Sequence, residues 1–149
     1  GDGASSPREC CAREGDSPFP NESQNFLEQA MTQQREEMVI FTRSFDFLSW
    51  LLPMTNNFPR AQRHSFTRRL LDAAFDLREH LEMANMRRGR ARLAQLNLAD
   101  EALAKVRVYL RLAERWDWLS QGQYHHAAKM VAEIGRLLGG WIKTVDRRR

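Results

Sequence analysis

Between Trp116 and Trp141 the chain spells the end of one helix, a tight corner and a second helix, and this run limits the available folds more than any other. Tyr124, Ala127, Val131, Ile134, Leu138 and Trp141 recur three or four residues apart. That spacing gathers side chains onto one face of a helix. Ser120 stands where an N-cap belongs, because its hydroxyl can accept a bond from one of the first free backbone N–H groups behind it. Gly135, Gly139 and Gly140 lie inside the same helix, where each costs about 1 kcal/mol relative to alanine. They are expected to mark close packing, within the chain or between subunits, rather than a helix end, since Trp141 and Ile142 continue the apolar stripe.

Three further segments share the helical period. Met38, Phe41, Phe45, Leu48 and Leu52 predict the inward stripe of a first helix over residues 33 to 52, widened by Phe47, Trp50 and Leu51, and Pro53 predicts its end. Pro59 suits the first position of a second helix, which carries Phe66, Leu70, Ala73, Ala74, Leu77, Leu81 and Ala84 inward as far as Met86. Arg87-Arg88-Gly89-Arg90 breaks it. A third helix, starting between Ala91 and Ala99, holds Leu96, Ala99, Leu103, Val106, Leu110, Ala113 and Trp116. Short connections force sequential helices to run antiparallel, so the expected fold is all-α: an up-down-up-down four-helix bundle over residues 33 to 143. No segment alternates with period two, and 149 residues suit one core. No run approaches the roughly 18 to 20 apolar residues of a membrane span.

Residues 1 to 32 contain Gly, Ser, Pro, Asn and acids with little apolar periodicity, the composition of a flexible, disordered tail. A sharper reading makes Met31 the natural start and the residues before it leader or fusion sequence. Residues 144 to 149 read as a basic C-terminal tail. The only cysteines, Cys10 and Cys11, are adjacent, and neighbours seldom form a sound disulfide. Neither a disulfide framework nor a Cys-rich zinc site is available, so a reducing, cytoplasmic setting is expected.

Charge says more than its net value of +4. Residues 1 to 31 hold six acids against two arginines, a net −4, leaving +8 for the remainder, where Lys105, Lys129 and Lys143 are the only lysines. Arginine's planar fork grips phosphate oxygens two at a time and stacks on bases, so the bias favours nucleic acid or acidic protein partners. Arg60, Arg63, Arg68 and Arg69 cluster near the start of the second helix, and Arg87, Arg88, Arg90 and Arg92 at its finish. Helix-dipole complementarity would account for some of the second cluster, but four arginines in six positions exceed that need. Arg107, Arg111 and Arg115 form a ridge along the third helix, with Glu114 the main acid in reach. These eleven arginines are the candidate contacts. The immediate neighbours of these arginines include Ala, Gln, Met and Leu rather than interleaved aromatic residues, so phosphate contacts rather than base stacking are expected. Trp50, Trp116, Trp118 and Trp141 add more large apolar surface than one small bundle hides, so self-association is expected.

Nothing assembles catalytic chemistry. Glu79, His80 and Glu82 lack the inward Glu-x-x-His pattern of di-metal bundles, and His125 and His126 diverge by about 100° on their helix. No Gly-rich phosphate loop or nucleophile elbow occurs. The expectation is a binding protein with no enzyme activity, no metal and no cofactor.

The ordered set Ser44-Phe-Asp-Phe-Leu-Ser-Trp-Leu-Leu-Pro53, Phe58-Pro-Arg60, Phe66, Arg69-Leu70, Val108-Tyr-Leu-Arg-Leu-Ala113 and Glu133-Ile-Gly-Arg-Leu-Leu-Gly-Gly-Trp141 resembles the Avd family, the accessory proteins of diversity-generating retroelements, over about residues 36 to 143. The resemblance implies a four-helix fold assembled as a pentameric barrel with a basic surface. It also implies binding to the retroelement reverse transcriptase and its template RNA in support of mutagenic cDNA synthesis, with no active site. The acidic first 31 residues have no counterpart in the family pattern. The alternatives are a related four-helix protein of the ribosomal-RNA intervening-sequence type and a structural bundle that binds protein partners.

Overall fold

The computed structural model describes Gly1, Gly3 and residues 22 to 147. Two compact units divide the chain, Gly1–Thr32 and Gln33–Arg149. Four helices carry the structure: α1 (Glu22–Met54), α2 (Arg68–Met86), α3 (Gly89–Arg115) and α4 (Gln121–Arg147). No described residue forms a strand. Within the second unit, consecutive helices pack antiparallel. α2 lies along α3 and α3 along α4, while Arg78 of α2 and Trp141 of α4 both reach α1 at Phe41.

Three of the four stripes lie where their spacing puts them. Leu70, Ala73, Ala74, Leu77, Leu81 and Ala84 of α2 are buried, as are Leu96, Ala99, Leu103, Val106, Leu110 and Ala113 of α3. In α4, Ala127, Val131, Ile134, Leu138 and Trp141 are buried and Tyr124 is half-buried, with Leu137 and Val145 added. Buried alanines (Ala73, Ala74, Ala99 and Ala102) stand among buried leucines on the packed faces of α2 and α3. Replacing a fully buried leucine such as Leu103 with alanine is expected to cost about 3 kcal/mol.

α1 differs from expectation in three ways. Its inward face is Ile40, Ser44, Phe47 and Leu51, whereas Met38, Phe45 and Leu52 of the expected stripe are 66%, 62% and 49% exposed. Ser44 interrupts the true stripe with a hydroxyl, which hid it in the sequence. Its Oγ donates to the Phe41 carbonyl at 3.1 Å and accepts from Arg78 Nη1 at 3.1 Å, so the buried polar group is satisfied. Secondly, the helix begins at Glu22, so residues 22 to 32 of the expected tail are helical, with Phe26, Leu27 and Met31 exposed. The rest of that stretch, with Cys10 and Cys11, lies outside the described residues. Thirdly, Pro53 sits inside the last turn rather than beyond it.

A tight turn at Thr55–Asn57 follows α1, and Phe58 is extended (φ −72°, ψ 155°), the conformation favoured before proline. Arg60–Gln62 and the wide turn Arg63–Thr67 then lead into α2, which starts nine residues later than Pro59 alone predicts. The wide turn inserts one extra residue per ring, and here Phe66 joins Phe58 and Trp118. At the other terminus α4 continues to Arg147, so the expected basic tail from residue 144 is helical that far; Arg148 and Arg149 lie outside the described residues. No helix among the described residues is long and apolar enough to cross a membrane.

Candidate nucleic-acid interface

The arginines of the three expected groups have different fates. Among the described residues, ion pairs hold Arg68 to Asp72 at 3.9 Å, Arg78 to Glu82 at 2.8 Å and Arg136 to Glu133 at 2.8 Å. Arg60, Arg63, Arg69, Arg87, Arg88, Arg90, Arg107, Arg111 and Arg115 are exposed and have no carboxylate partner there. Glu114 forms no ion pair with Arg111, contrary to expectation from their spacing. The hydrogen bond from Arg136, reinforced by its charge and that of Arg43, holds the Glu133 carboxyl below the usual carboxylate range despite slight opposing desolvation. These pairs on one helix are solvated and leave the wider excess of guanidinium groups unneutralised.

Arg92 is not a surface cation. It is half-buried: its Nε donates to the Ala84 carbonyl at 2.9 Å and the Arg87 carbonyl at 2.7 Å, and its Nη2 reaches the Asn85 carbonyl at 3.5 Å. The guanidinium also lies 5.7 Å from the Trp141 ring centre. Arg92 therefore helps cap the C-terminus of α2, sharing the Ala84 carbonyl with the Arg87 N–H (3.2 Å) and reaching the end carbonyls of Asn85 and Arg87 beyond it. The remaining members of the second cluster stand around the α2–α3 corner, where Arg87 and Arg88 are extended and Gly89 takes φ +59°. Arg88 also lines a cavity of about 430 Å³ with Gln33, Glu37, Gly89, Arg92, Thr144 and Val145.

The first cluster divides across two cavities at the opposite end. Arg60, Arg63 and Arg68 line a cavity of about 470 Å³, with Asp72 the acid among its walls and Phe58, Leu71 and Phe75 supplying the apolar part. Arg69 lines a second, open groove of about 840 Å³ with Phe66, Tyr109, Trp116, Asp117 and Trp118. Phe66 touches Tyr109, Trp116 and Trp118 edge-on, with ring centres 5.0 to 5.6 Å apart. Aromatic rings do stand beside the first cluster, then, against expectation. Phe66 stands between Arg63 and Arg68 in the sequence itself, and the fold adds Tyr109, Trp116 and Trp118 from a region more than forty residues away.

Along α3, Arg107 leans over Gly135 of α4, where an added Cβ would meet its guanidinium and the Leu103 side chain. Gly135 thus serves close packing within the chain. Gly139 and Gly140 would meet nothing, and α4 runs on past them, so neither ends the helix.

Two of the four histidines are engaged in structure. Nδ1–H of His80 donates to Gln95 Oε1 at 2.9 Å, and His126 packs on Trp50 at 5.4 Å. No group of three or more His, Cys, Asp or Glu among the described residues is placed to hold a metal ion.

Together these features define an arginine-rich, all-α four-helix protein whose exposed cations outnumber the carboxylates that meet them. The family model described as bAvd-like matches residues 38–145, and the chain belongs to that family. Among solved structures, a protein of unknown function from the S23 ribosomal protein family of Bacteroides thetaiotaomicron is similar in fold. Its TM-score is 0.67 at 19% identity, covering 72% of this chain and 98% of that one. No curated protein matches.

Proposed function

We propose that this protein is a non-catalytic, positively charged accessory protein of a diversity-generating retroelement. It binds the reverse transcriptase and the template RNA and so supports mutagenic cDNA synthesis. The observation that carries the reading is the set of exposed, unpartnered arginines at both ends of α2 and along α3, on a rigid helical body of the bAvd-like family. α2 alone spans about 28 Å at 1.5 Å per residue, so its two ends meet different stretches of a polyanion. Arg92 is excluded from the contact set and Arg68 is weakened by Asp72. Arg60, Arg63, Arg69, Arg87, Arg88, Arg90, Arg107, Arg111 and Arg115 remain.

The protein assembles with copies of itself, as a pentamer on the family resemblance. Met38, Phe45 and Leu52 recur every seventh residue as an exposed apolar ridge on α1, a pattern that a solvated helix face does not need. Gly139 and Gly140, open in the single chain, leave room for a neighbouring backbone.

The test is charge reversal of Arg87, Arg88 and Arg90 to Glu, leaving Arg92 in place. RNA binding should weaken at low salt, and the slope of log affinity against log salt should fall by about 2 to 3 for three lost phosphate contacts. The variant should also lose co-purification with the reverse transcriptase while keeping its helicity. Unchanged affinity and slope would remove this cluster from the interface. In parallel, Phe45→Glu should convert the assembly to single chains by mass in solution; an unchanged mass would rule out the α1 ridge as the contact.

A further inference from the structure

The groove between the start of α2 and the end of α3 is built unlike the rest of the basic surface. Trp116 is 49% exposed, and its ring is propped from behind, 5.6 Å from Phe66 and 5.1 Å from Trp118 between ring centres. Phe66 meets it edge-on and Trp118 at a tilt of 51°, packing that fixes a ring while leaving part of its face open to a ligand. Arg69 stands on the rim without a carboxylate partner, and Arg115, also unpaired, immediately precedes Trp116. Asp117 lies on the wall at φ 60°, contributing an acceptor-only carboxylate. The volume, about 840 Å³, falls within the roughly 300 to 1,000 Å³ of small-ligand sites.

The geometry points to a site for one unpaired nucleotide of a single-stranded RNA segment. Trp116 supplies the stacking face, Arg69 holds the adjoining phosphate, and Asp117 accepts from N–H groups on the base edge. The carboxylate argues against a run of backbone, because it would repel a second phosphate. The paired demand for a flat apolar face and a cation is the one a nucleotide presents, since every base has a π-face and every linkage an anion. Helical RNA keeps its bases stacked and cannot deliver one into the groove. The inference rests on the RNA-binding reading above and adds a preference for unpaired segments.

Binding is measured by fluorescence anisotropy with two RNAs of equal charge, a blunt duplex and a mixed-sequence single strand, for the wild-type protein and for Trp116→Ala and Trp116→Phe. Trp116→Ala should weaken the single strand about tenfold and leave the duplex within twofold, while Trp116→Phe keeps most of the affinity. Far-ultraviolet circular dichroism and urea unfolding verify that the variants fold, and Trp116→Leu, which removes the π-face while filling much of the volume, carries the comparison with the same expected loss if the alanine variant does not fold. Equal losses on both RNAs, or none on either, would overturn the nucleotide site while the general RNA reading stands. Wild-type protein that binds neither RNA would remove that reading itself. Loss of reverse transcriptase association with both RNA affinities intact would assign the groove to the protein partner and overturn the inference.

Discussion

The two ends of the bundle close their helices by opposite means. At the α3–α4 corner everything is local: Trp118 N–H donates to the Ala113 carbonyl at 2.8 Å and Asp117 N–H to the Glu114 carbonyl at 3.1 Å, the paired bonds of a Schellman turn. Two residues on, Ser120 Oγ accepts from Gln123 N–H at 3.1 Å and Gln123 Oε1 accepts from Ser120 N–H at 2.9 Å, a complete capping box. At the α2–α3 corner, Arg88 makes no side-chain cap for α3, and the end carbonyls of α2 are met by a single backbone bond from Arg87 N–H to Ala84 and by the Arg92 side chain from the next helix. The first end writes its closure into the eleven consecutive residues from Ala113 to Gln123. The second borrows a half-buried cation from the following helix, and for that reason its arginines cannot be counted as a single binding cluster.

The difference predicts that the borrowed closure is the more costly one to remove. Arg92→Ala strips charge-assisted bonds from the end carbonyls of α2 and uncovers Trp141, and should lower stability by about 2 kcal/mol, read from urea unfolding. Arg92→Lys should recover less than half of this, since an ammonium cannot span the carbonyls and lie flat over the indole. A loss under about 0.5 kcal/mol in the alanine variant would mean that water closes α2 equally well, and the contrast between the ends would vanish. Ser120→Ala, which breaks one bond of the local closure, should cost about 1 kcal/mol. Gln123→Ala should cost less, and the double variant should fall short of the sum because the two bonds support each other.

The same contrast separates what could be read in the sequence from what could not. Ser120 was legible because capping depends on residue type within four positions, and the stripes of α2, α3 and α4 were legible because each has a single apolar face. α1 has two. Met38, Phe41, Phe45, Leu48 and Leu52 form an unbroken apolar row, whereas the row Ile40, Ser44, Phe47 and Leu51 is interrupted by a hydroxyl, so periodicity alone favours the face whose Met38, Phe45 and Leu52 the structure exposes. Residues 22 to 32 read as tail because their helical register carries no stripe. Arg92 looked like its neighbours because composition records charge and not reach. The aromatic groove was hidden for the converse reason: Phe66 and Tyr109 meet only after α2 folds back along α3.

Asp117 offers the finest test of the comparison. It occupies the position after a helix at which the backbone turns left-handed, φ 60°, where glycine is the common residue and a β-carbon is strained. Asp117→Gly relieves that strain but gives the unfolded chain more freedom, a cost of about 0.5 to 1 kcal/mol, so the two nearly cancel and leave a gain of a few tenths. Asp117→Ala keeps the β-carbon without the short polar group that tolerates this conformation, and should lose about 1 kcal/mol. If the local closure is set by backbone geometry, glycine must be the most stable of the three in thermal unfolding, followed by aspartate and then alanine. If aspartate ranks first, its carboxylate contributes to the corner through a contact beyond the backbone, and this end, like the other, depends on a side chain reaching across.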